Sequence, residues 1–292
     1  MIKTYGLHHI SALVGDAQTN VDYYTQILGM RLVKQTLNYD DKFTYHLYFS
    51  DNKGETPLLT TFPFPTQEKT KVSGGQVMTQ ILSVNPDKFD EIIQNFDRMG
   101  IEYELDLDRL IFKDPDGLRL SIQKKVNNYS QPILDSAEIL SVNYLKTLQL
   151  FTDILGYEIV DEDDRRIYLK IHDDIGGELI LLKENTPMGQ IMRGTVHHIA
   201  FKVKDDEIED WRKLLLEKGY FPTEIKDRNY FKSLYFRDKG GVIVELATFG
   251  PGITLDEDVE ELGETFIIPK HFKEFKDEIF TRLKSIKLKE NE

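Results

Sequence analysis

The chain has 292 residues, 40% hydrophobic and 30% charged, with no cysteine and a formal net charge of −13. That length suits about two domains of an ordinary globular protein. The acidic balance speaks against nucleic acid or an anionic membrane as partner, and without cysteine there are no disulfides, thiolate ligands or cysteine nucleophiles. No apolar stretch approaches the roughly 18 residues of a membrane span, and the start lacks the apolar run of a signal peptide. A cytoplasmic protein is expected.

Taken in chain order, the elements repeat. A strand over 8–14 (His8-His9-Ile10-Ser11-Ala12-Leu13-Val14) leads into an amphipathic helix over 20–30 with Gly29 at its C-terminal end, then a strand run at Phe43–Ser50. The second unit has a strand at 77–84 and a helix at 87–101. Two runs follow, Arg109–Lys113 and Leu118–Gln123, on either side of the turn Asp114-Pro115-Asp116-Gly117. Asn127–Asp135, polar with one proline, reads as a linker. The third unit repeats the first: a strand at 138–142, a helix at 147–157 closed by Gly156, and runs at Arg166–Ile171 and Glu178–Leu182. The fourth repeats the second: a strand at 196–203, a helix at 205–220, and runs at Ser233–Phe236 and Val242–Thr248 flanking Asp238-Lys239-Gly240-Gly241.

The order β-α-β-β-β therefore occurs four times, an α+β fold. A single unit exposes one apolar sheet face, so units are expected to pair into two half-open barrels. Residues 5–126 hold modules one and two, 136–250 hold modules three and four, and 251–292 form a tail. The tail is acidic to about Glu264, then reads from Pro269 as a Lys/Phe/Ile/Leu helix ending near Leu288. Such a helix packs on its own chain or on a second copy, as in a homodimer.

Two apolar runs carry side chains out of keeping with a buried strand. Val196-His197-His198-Ile199-Ala200-Phe201 holds a histidine pair, and Val242-Ile243-Val244-Glu245-Leu246-Ala247 holds a glutamate. A lone histidine on an apolar strand is more often a core residue than a ligand, but an unpaired buried carboxylate is costly. The repeats act as an internal control. Glu245 aligns with Ser121 of the second unit, and His9 falls near Thr79 and Ala137 of the second and third. The first unit keeps a histidine pair but ends Leu58-Leu59-Thr60-Thr61-Phe62, without a carboxylate. Only one set of two histidines and one carboxylate can be assembled, from the first and fourth units, so those two units are expected to pair within the chain or between subunits. Alternation does not decide which histidine of each pair faces inward. With His9 inward, Ser11 and Leu13 share its face; with His8 inward, the more apolar Ile10, Ala12 and Val14 do.

The chain resembles the glyoxalase / bleomycin-resistance / extradiol dioxygenase superfamily, the vicinal oxygen chelate proteins. The resemblance covers residues 5–250. It rests on His9-Ile10-Ser11-Ala12-Leu13-Val14-Gly15-Asp16, Val21-Asp22-Tyr23-Tyr24-Thr25-Gln26-Ile27-Leu28-Gly29, His198-Ile199-Ala200-Phe201-Lys202-Val203 and the Asp238–Glu245 segment. It implies paired βαβββ modules curled around a divalent ion, with His9, His198 and Glu245 as ligands. Gly6-Leu7-His8-His9-Ile10, Arg31-Leu32-Val33-Lys34, Tyr45-His46-Leu47-Tyr48 and the run Asp227–Arg237 are similar to the two-domain ring-cleaving dioxygenases linked to hydroquinone and quinone resistance.

That likeness implies non-haem Fe(II), with Mn(II), Zn(II) or Ni(II) as alternatives, and an aromatic diol and O₂ as reactants. A facial His-His-carboxylate set leaves positions open for both. His46 is a candidate acid/base, or else a structural histidine on an edge strand. Tyr235, ten residues before Glu245, matches the tyrosine of the extradiol signature, or else is a core aromatic. Arg228 and Tyr230 are candidate substrate contacts, though Arg228 can equally pair with Asp227. The stretch Lys226-Asp227-Arg228-Asn229 has no histidine where that signature expects one, and Lys239 stands where it expects proline. A glyoxalase-like isomerase or thiol-conjugate lyase is the alternative, but such enzymes carry a second carboxylate ligand. A non-catalytic binding protein for aromatic compounds is the third reading, and it requires no ligand set.

Overall fold

The computed structural model describes residues 2–55, 57–106 and 108–288. Module one comprises β1 (Leu7–Val14), α1 (Ala17–Asp22), β2 (Arg31–Asn38), β3 (Asp41–Ser50) and β4 (Leu58–Pro63). Module two comprises β5 (Gln76–Val84), α2 (Pro86–Met99), β6 (Tyr103–Asp106), β7 (Arg109–Lys113) and β8 (Arg119–Lys124). Module three runs β9 (Ile133–Ser141), α3 (Tyr144–Leu150), β10 (Glu158–Glu162), β11 (Arg166–Lys170) and β12 (Glu178–Asn185). Module four runs β13 (Thr195–Val203), α4 (Ile208–Glu217), β14 (Lys226–Asp227), β15 (Phe231–Arg237) and β16 (Ile243–Pro251), and α5 (Lys276–Arg282) lies in the tail.

The strands form two curled eight-stranded sheets, in the orders β14-β15-β16-β13-β1-β4-β3-β2 and β10-β11-β12-β9-β5-β8-β7-β6. Each sheet takes one module from each half of the chain. The first joins modules one and four through the antiparallel pair β1–β13, and the second joins modules two and three through β5–β9. Helices cover the convex faces. Ile10, Ala12 and Val14 pack there with Val21, Tyr24 and Leu28, which leaves His9, Ser11 and Leu13 on the concave face. The more apolar side of β1 is thus the side under the helix, not the side of the site.

The two aspartate turns act as clamps between modules. Asp114 accepts from the N–H groups of Asp116 and Leu118, and the Tyr24 hydroxyl of module one donates to it at 3.3 Å. Asp238 accepts from Gly240 and Val242, and the Thr147 hydroxyl of module three donates to it at 2.6 Å.

The helices expected at 20–30 and 147–157 are each split. α1 and α3 are short, and each continues as a wider π-helical turn, Tyr23–Ile27 and Phe151–Leu155. In the first of these the Leu28 N–H donates to the Tyr23 carbonyl, five residues back, and both residues are buried.

The tail helix is shorter than the sequence suggests: a 3₁₀ stretch, Lys270–Phe275, precedes α5, and the chain is extended again at Leu283. The tail packs on its own chain, along β2. Gln35 and Ile267 are joined by a backbone bond, Thr36 donates to the Ile267 carbonyl, and Tyr45 donates to that of Lys284. The fully buried Lys34 is ion-paired with both Asp256 and Glu257.

Candidate metal centre and its pocket

His9 on β1, His198 on β13 and Glu245 on β16 converge on the concave face of the first sheet, all buried. Two β-bulges bring them there. The β1–β13 register slips between Leu7 and His9, where His8 is the extra residue, and again between His198 and Val196, where His197 is. The residue after each extra histidine is turned inward. Glu245 reaches the same point because it pairs with Ala200, two residues beyond His198.

His9 Nε2 and His198 Nε2 lie 3.0 Å apart, and Glu245 Oε2 lies 3.0 Å from the first and 2.9 Å from the second. Adjacent ligands on an octahedral ion at about 2.1 Å are about 3.0 Å apart, whereas a tetrahedral ion at that distance spreads them to about 3.4 Å. The triangle has the dimensions of one octahedral face. Beyond the two imidazoles, neither Glu245 oxygen has a hydrogen-bond partner. A buried carboxylate left in that state is expensive, and a divalent cation among the three groups would satisfy it.

Electrostatics favour the same arrangement. Burial acts to raise the Glu245 carboxyl, but His9 and His198 outweigh it and hold the group well below the usual carboxylate range. Burial lowers the His198 imidazole. Burial, then His198, brings His197 down to about 3, and burial, then His9, holds His8 well below its ordinary value. His8 Nδ1 is 2.8 Å from His9 Nδ1, and His197 Nδ1 is 2.8 Å from His198 Nδ1. With each inward histidine donating Nδ1–H to its neutral neighbour, its Nε2 lone pair is left for a cation. The supporting role of His8 and His197 is absent from the sequence reading; the doubled histidine in both units is the signal that held it.

His9 and His198 line a cavity of about 590 Å³ whose walls also include Leu13, Phe62, Phe64, Phe231, His46, Tyr48 and Tyr235. His46, on β3, lines it with both ring nitrogens engaged: Nδ1 is 2.9 Å from the Tyr48 hydroxyl and Nε2 is 3.0 Å from Thr60 Oγ1. Its ring stacks on Phe62, and burial, reinforced by His9 and His198, holds its pKa well below 6.5. Tyr235 is the register partner of Glu245, sits edge-on to His198, and has its hydroxyl pKa raised by burial and then by Glu245.

Arg228 lines the cavity but is not paired with its neighbour Asp227. Its partner is Asp40 at 3.0 Å, at the β2–β3 turn of module one, and its guanidinium lies over the rings of Tyr39 and Tyr235. Adjacent side chains diverge, so a cross-module partner prevails. The Tyr230 ring lines the cavity, while its hydroxyl donates to Asp256 of the tail at 3.0 Å. Tyr39 and Asp40, and Pro269 from the tail, complete the wall, and none had been singled out in the sequence.

The chain is thus two curled sheets of paired βαβββ modules, with a His-His-Glu triangle that could hold a metal ion set beside a partly aromatic cavity. Residues 6–122 and 133–246 match the Glyoxalase/Bleomycin resistance protein/Dioxygenase superfamily, and the chain belongs to it. It is 35% identical to a Bacillus subtilis relative named "Putative ring-cleaving dioxygenase MhqO", over 95% of each chain. It is 29% identical to the chlorohydroquinone/hydroquinone 1,2-dioxygenase of Sphingobium indicum, again over 95% of each. A crystal structure of a Bacillus subtilis "putative dioxygenase" superposes with a TM-score of 0.94 at 32% identity, covering 99% of this chain and 100% of that one. Among the described residues, no helix is long and apolar enough to cross a membrane.

Proposed function

We propose that the chain is a metal-dependent dioxygenase that opens the ring of a catechol or hydroquinone, with His9, His198 and Glu245 as the ligands of Fe(II). The observation that carries this reading is the triangle of ligand atoms at 3.0, 3.0 and 2.9 Å, with a carboxylate that has no other partner. The names borne by the relatives support the reaction class. A divalent ion held there would lower the pKa of a bound hydroxyl and template the diol and O₂ together.

The chain's own groups do the rest. Phe62, Phe64 and Phe231 give the cavity apolar walls suited to an aromatic ring. His46 is kept neutral by burial and its ring is held by Tyr48 and Thr60; it takes up a hydroxyl proton by exchanging one of those two contacts for the substrate. Tyr235, kept protonated, can donate a hydrogen bond to oxygen near the ligands. Arg228, anchored by Asp40, supplies positive charge for an anionic substituent or ring-opened acid.

The isomerase or lyase reading needs a second carboxylate. Ser11 pairs with Thr60 on β4 as Ala200 pairs with Glu245 on β16, so the position mirroring Glu245 is Thr60. The discriminating experiment is metal analysis of anaerobically purified protein together with oxygen uptake on methylhydroquinone and catechol. Bound iron with substrate-dependent uptake supports the proposal. Nickel or zinc with no uptake refutes it.

A further inference from the structure

The second sheet repeats the geometry of the first with different chemistry. Its bulges fall between Val77 and Thr79 on β5 and between Ser136 and Leu134 on β9. The register therefore sets Thr79 and Ser136 where the first sheet has its two inward histidines. Ser121 pairs with Ile81, two residues past Thr79, just as Glu245 pairs with Ala200, two past His198. Three ligand positions have become three buried hydroxyls, and no ligand trio can form. A carboxylate stands close by: Glu138, two residues past Ser136 and buried.

Three arginines from three strands surround that carboxylate. Arg109 on β7 approaches Glu138 at 3.4 Å, Arg119 on β8 at 3.3 Å and Arg166 on β11 at 3.5 Å. The Thr79 hydroxyl donates to Glu138 Oε2 at 2.6 Å and accepts from Arg119 Nη1 at 2.9 Å. All three arginine distances exceed the roughly 2.7–2.9 Å of a good charge-assisted bond. One carboxylate cannot serve three guanidiniums with five N–H donors each.

The other acids nearby are committed. Asp135 accepts from Lys125 and Gln123, and Asp163 accepts from the backbone N–H groups of Arg165 and Arg166 and from the Tyr168 hydroxyl. Gln123 takes a single Arg109 N–H at 3.4 Å. Arg166 Nε and the Ser121 and Ser136 hydroxyls, all buried, have no hydrogen-bond partner. The arginine side chains are 23, 30 and 37% exposed, so part of this donor surplus meets solvent. Three positive charges thus face Glu138, with the exposed Asp163 as a second negative charge that acts on Arg166 alone.

We propose that this concave face is a second binding site, specific for a small oxyanion, carboxylate or phosphate, held by Arg109, Arg119 and Arg166. The site is independent of the metal centre and of the reaction assigned to it. Guanidiniums fanned around one point suit a planar or tetrahedral oxyanion, which takes two N–H groups from each. Glu138 acts as the spacer that keeps the three cations together when the site is empty.

The test is calorimetric titration of the full chain at low ionic strength, with inorganic phosphate in one arm and succinate in the other. One saturable site is expected in at least one arm, and the arm that titrates identifies the class of anion. Arg119→Gln and Arg166→Gln should each weaken binding roughly ten- to hundredfold. Glu138→Gln should strengthen it by removing the competing charge. Arg228→Gln, in the other sheet, should leave it unchanged. Thermal melting of each variant runs alongside, and the partly exposed Arg166 keeps the test valid if Glu138→Gln fails to fold. The proposal is overturned if neither anion titrates, if Arg119→Gln and Arg166→Gln bind as tightly as the unaltered chain, or if Arg228→Gln is the change that abolishes binding.

Discussion

Glu245→Gln keeps the volume of the side chain and removes its charge. In the unaltered chain, a divalent ion that binds only the folded state at a hundredfold excess over its Kd adds about 2.7 kcal/mol. In a chain of this size 1 kcal/mol moves the melting midpoint by roughly 2–4 °C, so metal should raise it by about 5–10 °C. The triangle of 3.0, 3.0 and 2.9 Å brings one carboxylate oxygen against two imidazole nitrogens. Losing a residue that merely supports a ligand already costs roughly ten- to hundredfold in affinity. Losing the one charged ligand should cost at least about a hundredfold, leaving the same metal concentration near the variant's Kd. The gain then falls to about 0.4 kcal/mol and the shift to about 1 °C. The assay is thermal denaturation of chelator-treated protein with Mn(II), a redox-stable probe, added back. Equal metal-induced shifts in the two proteins would refute the site.

His46→Gln should lower kcat about 10²- to 10⁴-fold with metal content unchanged, measured as oxygen uptake beside elemental analysis; loss of metal would instead make His46 part of the ligand shell. Burial, then Asp116, pushes the Asp114 carboxyl up to about 7. Asp114 therefore binds its proton more tightly in the folded chain. Its contribution to stability is complete below about 4 and is lost as pH rises through about 7. Urea denaturation should show Asp114→Asn gaining on the parent between pH 5 and pH 8, and an unchanged gap would sink the argument. Lys34→Met strips the tail acids Asp256 and Glu257 of their buried cation. It should cost about 1–3 kcal/mol and speed proteolysis within 253–288, while equal cleavage rates would show the latch to be idle.

The four-unit organisation was legible because each unit writes its strands in runs of apolar residues, and the second and fourth mark the last turn with aspartate and glycine. The grouping of His9, His198 and Glu245 was legible because the units differ where a plain scaffold would not need them to. The inward-facing histidines were not decided by pattern. The helix-covered face of β1 is the greasier one, and the extra residues His8 and His197 break the alternation on which such a reading depends. The cavity wall was least visible. Tyr39 and Asp40 sit at a hairpin turn and Pro269 in the tail, and only the folded chain brings them to Arg228 and the metal-capable trio. For Arg228 the sequence offers a substrate contact or a pair with Asp227, because it shows neighbours and hides Asp40.

Pairing module one with module four also sets an order of events during synthesis. β1 has β4 beside it early, but its other edge stays open until β13 has been made. At roughly 5–20 residues per second, the stretch between His9 and His198 occupies the ribosome for about 10–40 s. Through that interval β1 keeps an unpaired strand edge and the trio is incomplete, whereas β5 waits only until β9 has been made. A chain halted before Glu245 never brings the three side chains together. A nascent chain is most exposed to wrong pairing while its first histidine waits for its second.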